Sequence, residues 1–263
     1  CNAQDGWKIT TRYYNALENP DNARFEMVYL YDGYMKTVAG DFNTVFYIES
    51  SEIIYFNHSS MNYWKGSPSR FNKEVRAELE MFIEQQLEDV SHDEREAMRF
   101  MYNEILNASF SINLDAAAQV RKYSTRKEQA GEMIAGYKTT IYTVYESGES
   151  LETIWIAPDL PIGSEFDFVG LSQFLNQLAS GSFAGSFESS NEYFELLKKG
   201  YPVKVLMTKA DGHTYISEVV EANRVELSAI DFQIPRDYTP ASLSEVGAVS
   251  YTHLRAHETV LDL

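Results

Sequence analysis

Four stretches of the chain hold residue types that could do chemistry. His58-Ser59-Ser60 sets an imidazole beside two hydroxyls. A nucleophilic triad is assembled in space rather than along the chain, so at a strand end this tripeptide reads first as turn chemistry. Asp159, Glu165 and Asp167 put three carboxylates into one loop before a helix. Calcium takes several such oxygens, but the spacing is not that of an EF-hand, and Asp167 also suits a helix start. Glu218 alternates onto the apolar side of its hairpin, where an unpaired charge is costly and the neutral acid is favoured. No second carboxylate pairs with it for glycosidic chemistry. Gly181-Ser182-Phe183-Ala184-Gly185 has the glycines of a hydrolase elbow with the serine misplaced, and reads as a linker. Phosphate loops, dinucleotide fingerprints and zincin helices do not occur. The expectation is a chain with no catalytic residues, no metal and no cofactor.

The inventory of ligands points the same way. One cysteine permits neither an internal disulfide nor a cysteine-based zinc site. His253, His257 and Glu258 have helical metal-ligand spacing, but they fall inside Val249 to Thr259, a run that looks like a translated sequencing-library adapter. Outside it only His58, His92 and His213 remain. Cys1 stands first, as in a mature bacterial lipoprotein, where signal cleavage leaves a cysteine that carries the lipid. A lipid anchor at Cys1 is therefore expected, with a fragment end as the alternative. The formal net charge of −17 repels phosphates, so nucleic acid is not an expected partner. No apolar run approaches the roughly 18 residues that suggest a membrane span.

The elements that must position these residues follow from periodicity. Ile134 to Pro158, dense in Thr, Ile, Val, Tyr and Trp and broken at Ser147-Gly148, predicts two long strands around which the rest is organised. Before it, Arg24 to Tyr31 and the strand after Asp32-Gly33 predict a two-residue hairpin with Tyr31 opposite Tyr34 and Met27 opposite Val38. Phe42 to Glu49, Glu52 to His58 and Met61 to Lys65 continue the meander. Ser67 and Pro68 then open a helix with the apolar stripe Phe71, Val75, Leu79, Phe82, Ile83 and Leu87. Ser91 and Glu94 form a capping box for a second helix, with Ala97, Met98, Met101, Tyr102 and Ile105 as its stripe. Both stripes are expected to pack on the sheet. Short strands are expected at Phe110 to Leu114 and Gln119 to Tyr123, and helices at Phe168 to Ala179 and Asn191 to Lys199. Asp211-Gly212 predicts a second two-residue hairpin with Val203, Met207, Ile216 and Val220 on one face, followed by a strand over Val225 to Phe232.

Strands outnumber helices and no βαβ alternation appears, which gives an α+β fold: a large curved antiparallel sheet with inserted helices packed on it. Residues 1–23 read as a tether and lead-in and 24–235 as a single domain with a helical insertion over 68–108. Residues 236–248 read as a C-terminal segment and 249–263 as adapter-derived. Trp7, Trp64, Trp155 and the many tyrosines are candidates to line an apolar pocket in the curve of such a sheet.

Tyr29 to Val38, Tyr63-Trp64-Lys65-Gly66, and Ala135-Gly136-Tyr137-Lys138 through Tyr142, Trp155 and Pro158 resemble an uncharacterised group of bacterial envelope proteins. Their domain of unknown function is similar to the half-barrel of the lipoprotein carrier. The likeness is spread over Phe25 to Phe232, and where that group tends to have Cys after Gly-Tyr-Lys this chain has Thr139. The resemblance implies an incomplete barrel with an apolar concavity, in the periplasm or at the outer membrane, and brings no catalytic residues with it. A non-enzymatic envelope lipoprotein that binds lipid, an acyl chain or a protein partner is the expectation. A carboxylate-based envelope hydrolase and a ligand-free interaction module are the alternatives.

Overall fold

The computed structural model describes residues 4–17, 22–88, 90–110, 121–178, 186–209 and 212–247. The strands are β1 (Gln4–Asn15), β2 (Arg24–Tyr31), β3 (Tyr34–Ala39), β4 (Phe42–Tyr47), β5 (Glu52–Asn57) and β6 (Asn62–Gly66), then β7 (Tyr123–Ala130), β8 (Thr140–Glu146), β9 (Glu149–Ala157), β10 (Tyr201–Thr208), β11 (Thr214–Leu227) and β12 (Thr239–Pro240). The helices are α1 (Pro68–Leu87), α2 (His92–Phe110), α3 (Ile162–Glu165), α4 (Phe168–Leu175), α5 (Asn191–Leu197) and α6 (Leu243–Val246). All twelve strands join one sheet in the order β12-β6-β5-β4-β3-β2-β1-β11-β10-β9-β8-β7. Every pairing is antiparallel except β12 with β6. The ends of the sheet do not meet, so the fold is an open α+β sheet rather than a closed barrel.

The first strand is the main correction to the sequence reading. Residues 4–15 are no tether: β1 lies in the interior of the sheet, paired with β2 on one side and β11 on the other. Trp7 and Ile9 alternate into the core and are buried, and Leu30 stands opposite Trp7. The 236–248 segment also belongs to the body, since β12 pairs with β6 and Leu243 and Val246 of α6 are buried. The β8–β9 hairpin forms as expected around Ser147-Gly148, both at positive φ, but near one end of the sheet rather than at its centre. The Ala135-Gly136 stretch ahead of it is a tight turn bridging Ile134 and Tyr137, not strand.

The Asp32-Gly33 hairpin has the expected register throughout, with both turn residues at positive φ. The β10–β11 hairpin does not. Lys209 N–H donates to the His213 carbonyl, which leaves three residues in the loop instead of two, and Gly212 takes the left-handed conformation at φ +85°. Three-residue loops of this type end in a glycine and shift the register by one. Met207 therefore faces Tyr215, and Leu206 faces Ile216. Residue 211 of the expected turn lies outside the described residues. So do Cys1, the Gly181 to Gly185 stretch, residues 111–120 of the two expected short strands, and everything from 248 on. The expected strand over Val225 to Phe232 is the end of the 14-residue β11 followed by a 3₁₀ turn at Ala229–Phe232.

One core fills the helix-bearing face. Trp64, Phe46, Ile53, Phe71 and Val75 join Trp7 and Ile9 with Leu160, Ile162, Leu171 and Phe174 in a single buried cluster. A second cluster sits under α5, around Val144, Ile154, Ile156 and Phe187. On the other face of β2 to β6, Tyr29, Tyr34, Val45, Ile54 and Phe56 are covered by Phe232, Ile234 and Tyr238. Both faces are thus apolar where the aromatic-rich strands require it.

Candidate functional site

The longest element pair not consumed by this packing among the described residues is the α1–α2 hairpin. Ser67 caps α1 by accepting from Arg70 N–H at 3.3 Å, with Pro68 at the first position. The first turns are fixed to the sheet: Phe71 packs against Trp64 and Tyr55, and Trp64 Nε1 donates to Glu74 at 2.6 Å. Beyond Leu79, the last residue of α1 packed on the main core cluster, α1 leaves that core, and α2 rests chiefly on α1. Arg99 grips Glu84 through two hydrogen bonds of 2.8 and 2.7 Å, and Arg76 reaches Asn107 at 3.1 Å, so the two helices run antiparallel. Leu87 and Leu106 are buried. Phe100 and Met81, by contrast, are 69% and 65% exposed, and Met101 and Phe82 are each 49% exposed. Of the stripes predicted to pack on the sheet, Phe71, Val75 and Leu79 of α1 do so. Two helices in contact bury one stripe each, and the apolar residues beside that stripe have no sheet beneath them.

Two open hollows flank α1. One, of about 610 Å³, lies between Arg70, Glu74, Glu78, Ala241 and Glu245. The other, of about 660 Å³, is lined by Ala77, Glu80, Met81, Glu84, Gln85 and Glu88, so an i, i+4 row of carboxylates borders an exposed methionine.

The residues singled out from the sequence are not brought together. Glu165 accepts from Trp7 Nε1 at 2.8 Å and from Arg224 at 2.5 Å, while the Arg224 guanidinium stacks over the Trp7 ring. Asp167 caps α4 by accepting from Gly170 N–H at 2.8 Å. Among the described residues no three His, Cys, Asp or Glu side chains converge as a metal site would require. Asp167→Ala is therefore expected to lower stability by about 1 kcal/mol, the usual loss of a cap. Thermal melts of both proteins with calcium and with chelator should be superimposable. His58 contacts the Tyr238 hydroxyl and Ser59 donates to Asp41 at 2.6 Å, which is turn chemistry. The one-residue register shift takes Glu218 off the core. It pairs with Arg12 at 2.9 Å, accepts from the Tyr14 hydroxyl at 3.3 Å and lies 3.6 Å from Lys204. Lys204 also donates to Glu132 at 2.7 Å above the Trp155 ring. Burial alone would lower the pKa of this ammonium, but Glu132 and Glu218 outweigh it and hold the value above the ordinary one. Trp7 and Trp64 are buried in the main core cluster and Trp155 packs against it, so among the described residues the three are core and line neither hollow.

The buried carboxylate is a different one. Glu152 of β9, 4% exposed, alternates with Ile154 and Ile156 toward the cover formed by α5 and the 3₁₀ turn Phe187–Ser189. Among the described residues nothing donates a hydrogen bond to it. Burial, reinforced by the charge of Glu188, pushes its pKa up to about 8. The signal was available in the alternation Glu152, Ile154, Ile156.

The family model for a domain of unknown function, DUF4412, matches residues 71–238, more than half of the chain. The chain belongs to the DUF4412 family. The matched part begins inside α1 and runs to Tyr238, and so takes in α1 from Phe71 on and all of α2. No curated protein matches. Among solved structures, this DUF4412 protein is similar to MucB in complex with MucA(peri), at a TM-score of 0.36 and 9% identity over 89% of this chain and 56% of that one. It is similar to PNGF-II at a TM-score of 0.40 and 9% identity, over 94% of this chain and 33% of that one. The MucA/MucB complex of Pseudomonas aeruginosa gives a TM-score of 0.27 and 10% identity, over 89% of this chain and 57% of that one. The chain spans only a third to just over half of the length of these structures.

Proposed function

We propose that this DUF4412 protein is a non-catalytic binding module of the bacterial cell envelope and that a protein partner docks on its α1–α2 hairpin. One observation carries the reading: three large apolar side chains, Met81, Phe100 and Met101, are about half exposed or more on a helical hairpin whose far part lies outside the core clusters of the sheet. Exposed large apolar side chains gathered on one projecting element mark candidate interaction sites. A lipid or acyl chain is less well served, because the two hollows lie on the flank of α1 and are bordered by carboxylates. Hydrolysis by paired carboxylates needs both in a cleft, and Glu152 lies beneath α5. The resemblance to envelope proteins supports the location, and a lipid on Cys1 would hold the module at a membrane surface.

The test is site-specific photocrosslinking in cells that carry the native gene, with p-benzoylphenylalanine in place of Phe100, of Met81 or, as a control, of Val220 on β11. Crosslinked protein adducts are expected at the two hairpin positions and absent at Val220. Adducts of equal yield at all three positions, or none on the hairpin, would sink the reading. The variant Phe100→Ser/Met101→Gln is expected to abolish the Met81 adduct while leaving stability within about 0.5 kcal/mol per substitution, since exposed side chains contribute little to folding.

A further inference from the structure

We infer that the segment docking on this hairpin is basic and amphipathic, with apolar anchors at helical spacing flanked by Lys or Arg; the inference rests on the binding reading above and names the partner's chemistry. From Ala77 to Glu94 the chain contains no Lys or Arg, while Glu78, Glu80, Glu84 and Glu88 recur along α1. Glu80 is held by Arg76 at 2.8 Å and Glu84 by Arg99 at 2.7 Å, both from the flanks. Among the described residues the Glu88 carboxylate has no ion pair, since Arg95 donates to the Glu88 backbone carbonyl at 2.9 Å instead, and Glu88 borders the hollow that holds Met81. The hollow beside Met81 is thus bordered by three carboxylates, of which Glu80 and Glu84 are paired and Glu88 is not, and no Lys or Arg belongs to its lining.

Charge selects among the possible occupants. A second copy would bring the same acidic rim and another net charge of −17 against the first, and an anionic membrane surface would be repelled in the same way. A helix with Leu-type anchors could bury Met81 and Phe100 and set a cation over Glu88. The attraction acts over about 8 Å at physiological salt, so it discriminates between nearby rim charges rather than reading the whole molecule.

The test uses the full chain and two labelled 18-residue peptides of helical period, one of Leu and Lys and one of Leu and Glu, followed by fluorescence anisotropy at low and raised salt. The Leu–Lys peptide is expected to bind, more weakly as salt rises. Its affinity should drop about tenfold in Glu88→Lys and in Phe100→Ser/Met101→Gln, and stay within twofold in Glu226→Lys, which makes the same change of net charge on an exposed position of β11. Equal weakening by Glu226→Lys, or no binding of the Leu–Lys peptide, overturns the inference. Equal binding of the Leu–Glu peptide overturns it while leaving a docking surface in place, and crosslinking from Phe100 then decides that broader reading on its own. Two further outcomes also overturn it: a dimer that Phe100→Ser/Met101→Gln converts to monomer, and binding to phosphatidylcholine vesicles that the same variant abolishes.

Discussion

Glu152→Gln should make the protein more stable, and the gain should grow with pH. The buried carboxyl of Glu152 is held near pKa 8 against an ordinary 4.5, first by burial and then by the charge of Glu188. A raised carboxylate pKa means that the folded chain keeps a proton that the unfolded chain releases. The contribution of this group to stability is therefore fully present below about pH 4.5 and is lost as pH rises toward about 8. Each pH unit within that window costs about 1.4 kcal/mol in the limit of a rigid site. Relaxation of the cover over β9 reduces this, so a difference of about 3 kcal/mol at pH 8 is expected, and about 6–12 °C in Tm for a chain of this size. Glutamine has the shape of the protonated acid and no charge to lose, so wild type and variant should converge at pH 4. Urea unfolding of both proteins across pH 4–8 measures it, and parallel pH profiles would show that Glu152 ionises at an ordinary pKa. Tyr193, beside Glu152 under the same cover, also has a raised pKa because of burial, so it supplies no charge in this window.

Glu152 also shows how much of this molecule was legible in the sequence. The Asp32-Gly33 hairpin could be read pair by pair because a two-residue turn with both residues at positive φ fixes the register of everything behind it. Asp211-Gly212 carries the same dipeptide, but its glycine closes a three-residue loop. A slip of one residue exchanges the two faces of a strand. That slip put Glu218 on the apolar side in the sequence reading, whereas the fold sets it in a row with Arg12 and Lys204. The same attention to alternation along β9 would have found Glu152 between Ile154 and the turn at Ser147-Gly148. Helix caps were readable at Ser67 and Asp167, because a cap is a local hydrogen bond between near neighbours, and at Ser91 the hydroxyl donates to the Glu94 carboxylate. What covers a helix is not local. The stripes of α1 and α2 announce apolar faces, and only the path of the chain after Gly66 decides that the second half of the hairpin stands clear of the sheet. The candidate docking site is visible in the sequence as a composition but not as a surface.

Loss of β1 should abolish the fold. Deletion of residues 1–16 removes a strand whose neighbours on both sides, β2 and β11, would become bare edges in the middle of the sheet. It also takes Trp7 and Ile9 out of the main core cluster and leaves Leu30, Val219 and Ala222 facing a void. An open edge presents unpaired backbone groups that invite other chains, so the truncated protein is expected to aggregate and to show no cooperative thermal transition. Single substitutions grade the same effect. Ile9→Ala should cost about 3 kcal/mol, as for other fully buried aliphatic truncations. Gly6→Val should cost a comparable amount for a different reason, since a Cβ at Gly6 would lie 2.8 Å from the Leu30 carbonyl oxygen and 2.6 Å from Leu227 Cδ1. The backbone oxygen cannot swing aside as a flexible side chain would, so the strands themselves would have to part. Chemical denaturation of the three variants beside wild type is the measurement. A truncated protein that unfolds cooperatively at the wild-type midpoint would return residues 4–15 to the role of a tether, and the two halves of the sheet would then have to be held together by the helices that span them.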